Sequence, residues 1–276
     1  MRIDAHQHFW DLGNEFTHWP TSDLKAIYRN FLPENLRNHL KEHKIDKTVL
    51  VQAAPNIEET DFLLELTEKN DFIGGVVGWF DMDNERFLEE FANYSKHPKL
   101  VGIRPMLQGL ADDRWILRPE VKRSIQILID HDFPIDILIY PKHLPHIVEL
   151  LEEFPTLRAV IDHCAKPNIK DRQWDEWAKG MEKISQFDSV MCKLSGLVTE
   201  ADHQTWNLED FRPYIENIFN CFGPKRVMFG SDWPVCLLAA SYDEVMEILQ
   251  KNIPANITDQ EKELLFGGNA KKFYKL

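Results

Sequence analysis

Cysteine is scarce in this 276-residue chain, and Cys164, Cys192, Cys221 and Cys236 stand without any Cys-x-x-Cys spacing. That pattern argues against a disulfide framework and a thiolate zinc cluster, and predicts reduced, mostly buried thiols. Long apolar runs are missing too. No stretch approaches the roughly 20 residues that span a bilayer, so no membrane partner is expected. Asp4 and two histidines within the first ten residues leave no room for a signal peptide, which makes a cytoplasmic location the expectation. A basic excess is also absent. The 32 Lys and Arg residues against 45 Asp and Glu give a net charge of −13, which argues against nucleic acid or an anionic membrane surface as partner. No linker, low-complexity tract or close repeat interrupts the chain, so residues 1–276 are expected to form one domain around one sizeable core.

What the chain does contain is a regular alternation. Short β-branched or apolar runs cover residues 2–9, 47–53, 72–80, 100–106, 134–140, 157–163, 189–195 and 226–232. Between them lie amphipathic stretches at 33–43, 58–69, 85–95, 119–131, 142–153, 175–186, 208–222 and 242–250. Pro33 and Pro119 suit a first helical position, and Thr258 with Glu261 makes a capping box. Strand followed by helix, eight times, predicts an α/β fold of the (β/α)8 TIM-barrel type. The longer loops at 11–32, 108–118 and 198–207 then fall on the C-terminal face, where barrel enzymes build their sites.

A barrel gathers its strand ends into one mouth, so residues far apart in sequence converge if each closes a strand. His6 and His8 lie two apart on the first strand and therefore share a face. Arg104, His163 and Asp232 end the fourth, sixth and eighth runs, and Gln52, Trp79, Tyr140 and Lys193 end others. Turn chemistry would more often leave Asn, Gly or Ser there, so this polar set favours a site over scaffolding. The plain alternatives differ by residue. An isolated His-x-His is often structural, Asp232 could cap a turn, Arg104 could pair with Asp4 or another carboxylate, and Lys193 could hold a neighbouring carboxylate. Trp10, Trp79 and Trp233 offer flat faces to a ligand ring, although aromatics are more often core. His143 and His146, on the helix after strand five, are expected on the surface away from the mouth.

The residue types admit two chemistries. His6, His8 and Asp232, with His163 as a further donor, suit one divalent ion, zinc by preference, which would acidify water and polarise a carbonyl. Without metal, the histidines and Arg104 could stabilise an oxyanion while Asp232 acts as base. In both, Asp232 carries the central proton transfer.

The chain resembles the amidohydrolase superfamily, in the group that contains L-fuconolactonases, rhamnonolactonases and pyrone-dicarboxylate hydrolases. The resemblance covers the whole length and rests on Asp4-Ala5-His6-Gln7-His8-Phe9-Trp10, Gly102-Ile103-Arg104, Ile161-Asp162-His163-Cys164-Ala165-Lys166-Pro167, Lys193-Leu194-Ser195-Gly196-Leu197, Gly230-Ser231-Asp232-Trp233-Pro234 and Phe266-Gly267-Gly268-Asn269-Ala270. It implies hydrolysis of a sugar-derived lactone to the aldonic acid. Catalysis would fall to Asp232, His163, His6 and His8, and substrate contact to Arg104, Lys193, Tyr140, Gln52, Trp10, Trp79 and Trp233. The small-molecule lactone would be the partner, and a homo-oligomer is compatible with the resemblance. Arg104 stands where several two-metal relatives carry a carboxylated lysine, so the resemblance leaves one metal or none. The alternative is a metal-dependent decarboxylase of an aromatic or unsaturated acid, since a neighbouring branch uses the same side chains.

Overall fold

The computed structural model describes residues 1–276. Eight parallel strands lie in sequence order: β1 (Ile3–Gln7), β2 (Lys47–Val51), β3 (Ile73–Gly78), β4 (Leu100–Ile103), β5 (Ile135–Ile137), β6 (Ala159–Ile161), β7 (Val190–Leu194) and β8 (Val227–Phe229). Each is shorter than the apolar run that predicts it. The runs continue past the ladder because most residues just beyond each strand are still buried, although they no longer pair as strand. Parallel strands need a crossover, and each is followed by a helix. These are α1 (Pro33–Glu42), α2 (Ile57–Lys69), α3 (Phe87–Tyr94), α4 (Pro119–Asp130), α5 (Leu144–Glu153), α6 (Asp175–Ser185), α7 (Leu208–Phe222) and α8 (Tyr242–Asn252). The result is a nearly closed (β/α)8 barrel. No helix is long and apolar enough to cross a membrane.

Closure falls to residues beyond β8. Gln7 bridges Trp233 in parallel, the amide of Asp232 donates to the His6 carbonyl at 2.8 Å, and the amide of His8 donates to the Trp233 carbonyl at 2.7 Å. Asp4 braces the same seam. Its carboxylate accepts from the Ser231 amide at 2.8 Å and from the Tyr242 hydroxyl at 3.1 Å, while burial pushes its pKa up to about 6.

The main core fills the space between sheet and helices, and a smaller one closes the opposite end of the barrel. There α9 (Asp259–Glu263), a wide turn and α10 (Asn269–Tyr274) fold under the strands, so that Phe273 and Tyr274 pack on Ile3, Val49 and Val77. Thr258 and Glu261 do form the capping box that opens α9. All four cysteines are free, and three are buried.

Helix α2 begins with Asn56 accepting the Glu59 amide at 2.8 Å, while the Glu59 carboxylate accepts the amides of Ala53 and Ala54 at 2.8 and 2.7 Å. Burial pushes the Glu59 carboxyl up to about 7 against an ordinary 4.5. The folded chain therefore holds a proton that the unfolded chain has released, and this group loses stability as pH rises through that window. Stability of Glu59→Gln relative to the parent, followed by urea unfolding, should rise from pH 4.5 to pH 7 and level off above. A flat difference across that range removes Glu59 as the titrating group.

Gly230 sits where β8 meets β1. A Cβ there would lie 2.6 Å from the His6 Cβ and 3.1 Å from the Ser195 Cβ. Gly230→Ala should cost about 1–3 kcal/mol in the same measurement, because His6 is anchored in β1 and Ser195 directly follows β7, so neither can give way easily.

Candidate active site

Four ring or carboxylate groups meet at the end of the seam. His6 lies in β1 and His8 one residue past it, so the expected same-face pair holds and their Nε2 atoms are 3.2 Å apart. Asp232 Oδ1 lies 3.3 Å from His8 Nε2 and 3.8 Å from the Nε2 atoms of both His6 and His163. All four are buried, and this Oδ1 has no hydrogen-bond partner.

Sequence reasoning put His163 and Asp232 at strand ends, whereas the structure places them just beyond, in left-handed backbone with φ of 51° and 57°. For residues with a Cβ that conformation costs roughly 1–2 kcal/mol each, which the surrounding packing must offset. It continues through Cys164, Ala165 and Lys166. Gly196 also has positive φ, and its missing Cβ leaves room for His163, whose Nδ1 would lie 2.6 Å away.

The rings are held from behind, and for His8 the contact fixes the tautomer. His8 Nδ1 donates to the Val51 carbonyl at 2.7 Å, which leaves its Nε2 lone pair facing Asp232. His163 Nδ1 is 2.9 Å from Ser195 Oγ. Desolvation holds His8 below the ordinary histidine range and His6 and His163 well below it, so all three rings are neutral near pH 7. Burial works against ionisation of Asp232, yet its carboxyl lies below the usual carboxylate range, and the Lys166 ammonium is the standing positive charge that favours the ionised form.

Beneath this cluster lies a buried ionic network. Lys193 Nζ contacts Asp136 at 2.5 Å, Asp162 at 3.1 Å and His6 Nδ1 at 3.1 Å. Arg104 pairs with Asp162 at 3.3 Å, so its partner is Asp162 and not Asp4. Its guanidinium also donates to the Gln52 carbonyl, and the Gln52 amide returns a bond to the Arg104 carbonyl at 2.9 Å. Lys193 and Gln52 thus lie below the cluster as supports. Asp136 and Asp162 are missed by motif reading. Asp136 sits between two isoleucines in β5 and Asp162 directly follows the apolar β6, and a buried charge at the end of or inside such a run was the available signal.

Above the cluster opens a cavity of about 490 Å³, with His8, Arg104, His163 and Asp232 at its base. Trp79 lines it together with Trp19, Phe80, Met82, Trp115 and Leu138. Of the three loops expected at the mouth, 11–32 and 108–118 supply Trp19, Gln108 and Trp115, whereas 198–207 contributes no lining residue. Lys166, Asp81 and Asp83 are further polar lining residues that the sequence reading did not assign. Trp10 and Trp233 point elsewhere. The Trp10 indole is buried against Trp19 and Phe31 and donates to the Arg29 carbonyl, while Trp233 packs between Phe9 and Phe31. Packing is therefore the role the geometry gives them, one layer behind the wall. Tyr140 lies outside the lining, 36% exposed, with Lys166 Nζ 5.6 Å from its ring centre. His143 is not a surface residue as expected: it is fully buried, and its Nδ1 accepts the Tyr140 amide at 3.0 Å.

The donor set fits one divalent ion. Tetrahedral ligands about 2.0–2.2 Å from a zinc lie roughly 3.3 Å from one another. His6 Nε2, His8 Nε2 and Asp232 Oδ1 approach that spacing, and the unpartnered Oδ1 lacks a counter-charge in direct contact. A second grouping, His6, Asp162 and His163, does not fit as well, because the Lys193 ammonium already stands against Asp162 and His6.

The family model described as amidohydrolase matches residues 3–276. An L-fucono-1,5-lactonase of Burkholderia ambifaria is 38% identical across all of this chain and 96% of its own length. A second protein of that name, from Burkholderia multivorans, is 34% identical over the same shares. Among solved structures, an amidohydrolase of Burkholderia multivorans with bound zinc superposes with a TM-score of 0.93 at 34% identity, covering 100% of this chain and 99% of the other. On a family match from the first strand to the final residue, with full-length relatives of this similarity, the chain belongs to the amidohydrolase family.

Proposed function

We propose that the protein hydrolyses the cyclic ester of a sugar-derived lactone, of the L-fucono-1,5-lactone class, to the aldonic acid. The observation that carries this reading is Asp232 Oδ1, buried, without a hydrogen-bond partner and ringed by three neutral imidazoles at the base of a cavity. A carboxylate so placed is a base for water and then an acid for the leaving oxygen. The lactonases among the relatives support the substrate class.

The charge of the cavity favours a neutral substrate. Arg104 is engaged by Asp162, and Lys166 by Glu200 at 3.0 Å, so each lining cation is already balanced by a carboxylate and the cavity carries no uncompensated positive charge to favour an anionic substrate. The wall of Trp19, Trp79, Phe80 and Trp115 suits the apolar face of a sugar ring or a methyl substituent, and Asp81, Asp83 and Gln108 offer acceptors and donors to hydroxyls.

In the reaction, Asp232 takes a proton from the attacking water as its oxygen bonds to the carbonyl carbon. Electrons of the C=O bond move to the carbonyl oxygen. The intermediate collapses, the ring C–O bond breaks, and the departing oxygen receives the proton from Asp232. One carboxylate serves twice. His8 is held by Val51 and His163 by Ser195, so the rings around Asp232 keep their orientation throughout. His6, His8 and Asp232, with His163 beside them, would hold a single divalent cation, zinc among the candidates, and when bound it would acidify water and polarise the carbonyl.

A pH-indicator screen of L-fucono-, L-rhamnono-, D-galactono- and D-arabinonolactones tests the reading. Opening of L-fucono-1,5-lactone above the others is expected, and silence across the panel with folded protein rejects it. Asp232→Asn should lower kcat by roughly 100-fold or more with the fold intact by circular dichroism. Substantial residual turnover would remove Asp232 as shuttle. Stripping metal with a chelator, checked by elemental analysis, should abolish turnover, and added zinc should restore it. Full activity in verified metal-free protein would rule out the cation.

A further inference from the structure

Lys166 has no part in the chemistry above, yet the backbone is contorted to present it. His163 to Lys166 are four consecutive residues with φ between 50° and 57°, none of them glycine. The Lys166 amide closes the turn on the His163 carbonyl at 2.8 Å. In so tight a turn, side chains three apart project to the same side. His163 faces Asp232, and Lys166 lines the same cavity with both of them. A surface lysine that only tied two loops together would not need this conformation, which is unfavourable for every residue with a Cβ.

Glu200, from the loop after β7, fixes the other end. Its Oε1 accepts from Lys166 Nζ at 3.0 Å, and its backbone carbonyl accepts the Lys170 amide at 3.0 Å, which pins the loop against the residues that follow the turn. Both side chains of this pair are 17% exposed. An ammonium has three N–H donors, and this carboxylate oxygen takes one. Burial would favour loss of the Lys166 proton, but Glu200 and Asp232 more than offset it, so the group stays cationic.

We infer that Lys166 is a catalytic residue that donates a hydrogen bond to the lactone oxygen on which negative charge develops, with Glu200 as the positioning residue that aims its ammonium. The inference rests on the proposed lactone hydrolysis and adds a named donor to it. The Lys166–Glu200 pair is neutral as a whole, so it matches a neutral lactone in the ground state. The ammonium contributes most as charge builds on oxygen in the transition state, where such donors act. The loss on its removal should therefore fall mainly on kcat.

Steady-state kinetics of Lys166→Met, Lys166→Arg and Glu200→Gln on the lactone that the parent opens fastest test this directly. Lys166→Met should lose roughly 100-fold in kcat with KM little changed. Lys166→Arg should recover part of that loss, and Glu200→Gln should lose about tenfold, again in kcat. A Lys166→Met enzyme within about threefold of the parent, or a loss confined to KM, overturns the assignment. Should Lys166→Met fail to fold, Lys166→Arg and Glu200→Gln decide by the same split, and parental kcat in both overturns it.

A second readout separates this inference from the activity itself. Calorimetric titration with L-fuconate, the ring-opened acid, should show about tenfold weaker binding to Lys166→Met than to the parent. If the parent opens no lactone, the activity reading fails, and weaker L-fuconate binding to the variant still supports Lys166 as a ligand-contacting donor. Equal binding by variant and parent, or none by the parent, overturns it.

Discussion

The seam between β1 and the residues after β8 is the constraint on which the site depends. Two main-chain hydrogen bonds, from Asp232 to His6 and from His8 to Trp233, join chain positions more than 220 residues apart in register. Because side chains alternate along an extended strand, that register sends His6 and His8 to the inside together and holds Asp232 against them. Gly230 makes the approach close enough, and Asp4 ties the seam to α8 through Tyr242. A slip of one residue would turn both imidazoles into the outer layer.

Directly below, Lys193 and Arg104 sit among Asp136 and Asp162 with little or no access to water. Removing one member of such a network leaves an uncompensated buried charge, which is costly. The arrangement supplies the cations and anions that the inner barrel needs and keeps His6 fixed from its Nδ1 side. Tyr274, at the far end of the barrel, donates to both oxygens of Asp136 at 2.8 Å. The C-terminal helix therefore contributes to the floor of the site as well as to the second core.

Legibility in the sequence followed locality. The eight apolar runs and the helices between them could be read because each is a periodic pattern within one stretch of chain, and strand pairing then follows from the barrel order. The His-x-His pair and the ends of runs four, six and eight pointed to the mouth for the same reason. Trp10 and Trp233 misled because an indole looks alike in sequence whether it faces a cavity or backs one, and only packing against Phe31 separates the cases. His143 looked like a helix-surface residue, but the backbone turns before α5, and the ring folds inward to cap Tyr140.

Sequence alone determined the strand-helix alternation, the lack of any Cys-x-x-Cys spacing and the residue types available for proton transfer and metal binding, since each is a property of spacing or composition. Tertiary structure decided which of those residues share a cavity. It placed Lys193 and Gln52 beneath the cluster, brought Asp136 and Asp162 into the network, gave Trp19 and not Trp10 to the wall, and aimed Lys166 beside His163 through four left-handed residues. The physical reason is that burial, ion pairing and side-chain direction depend on neighbours from distant parts of the chain, and those exist only once the barrel has closed.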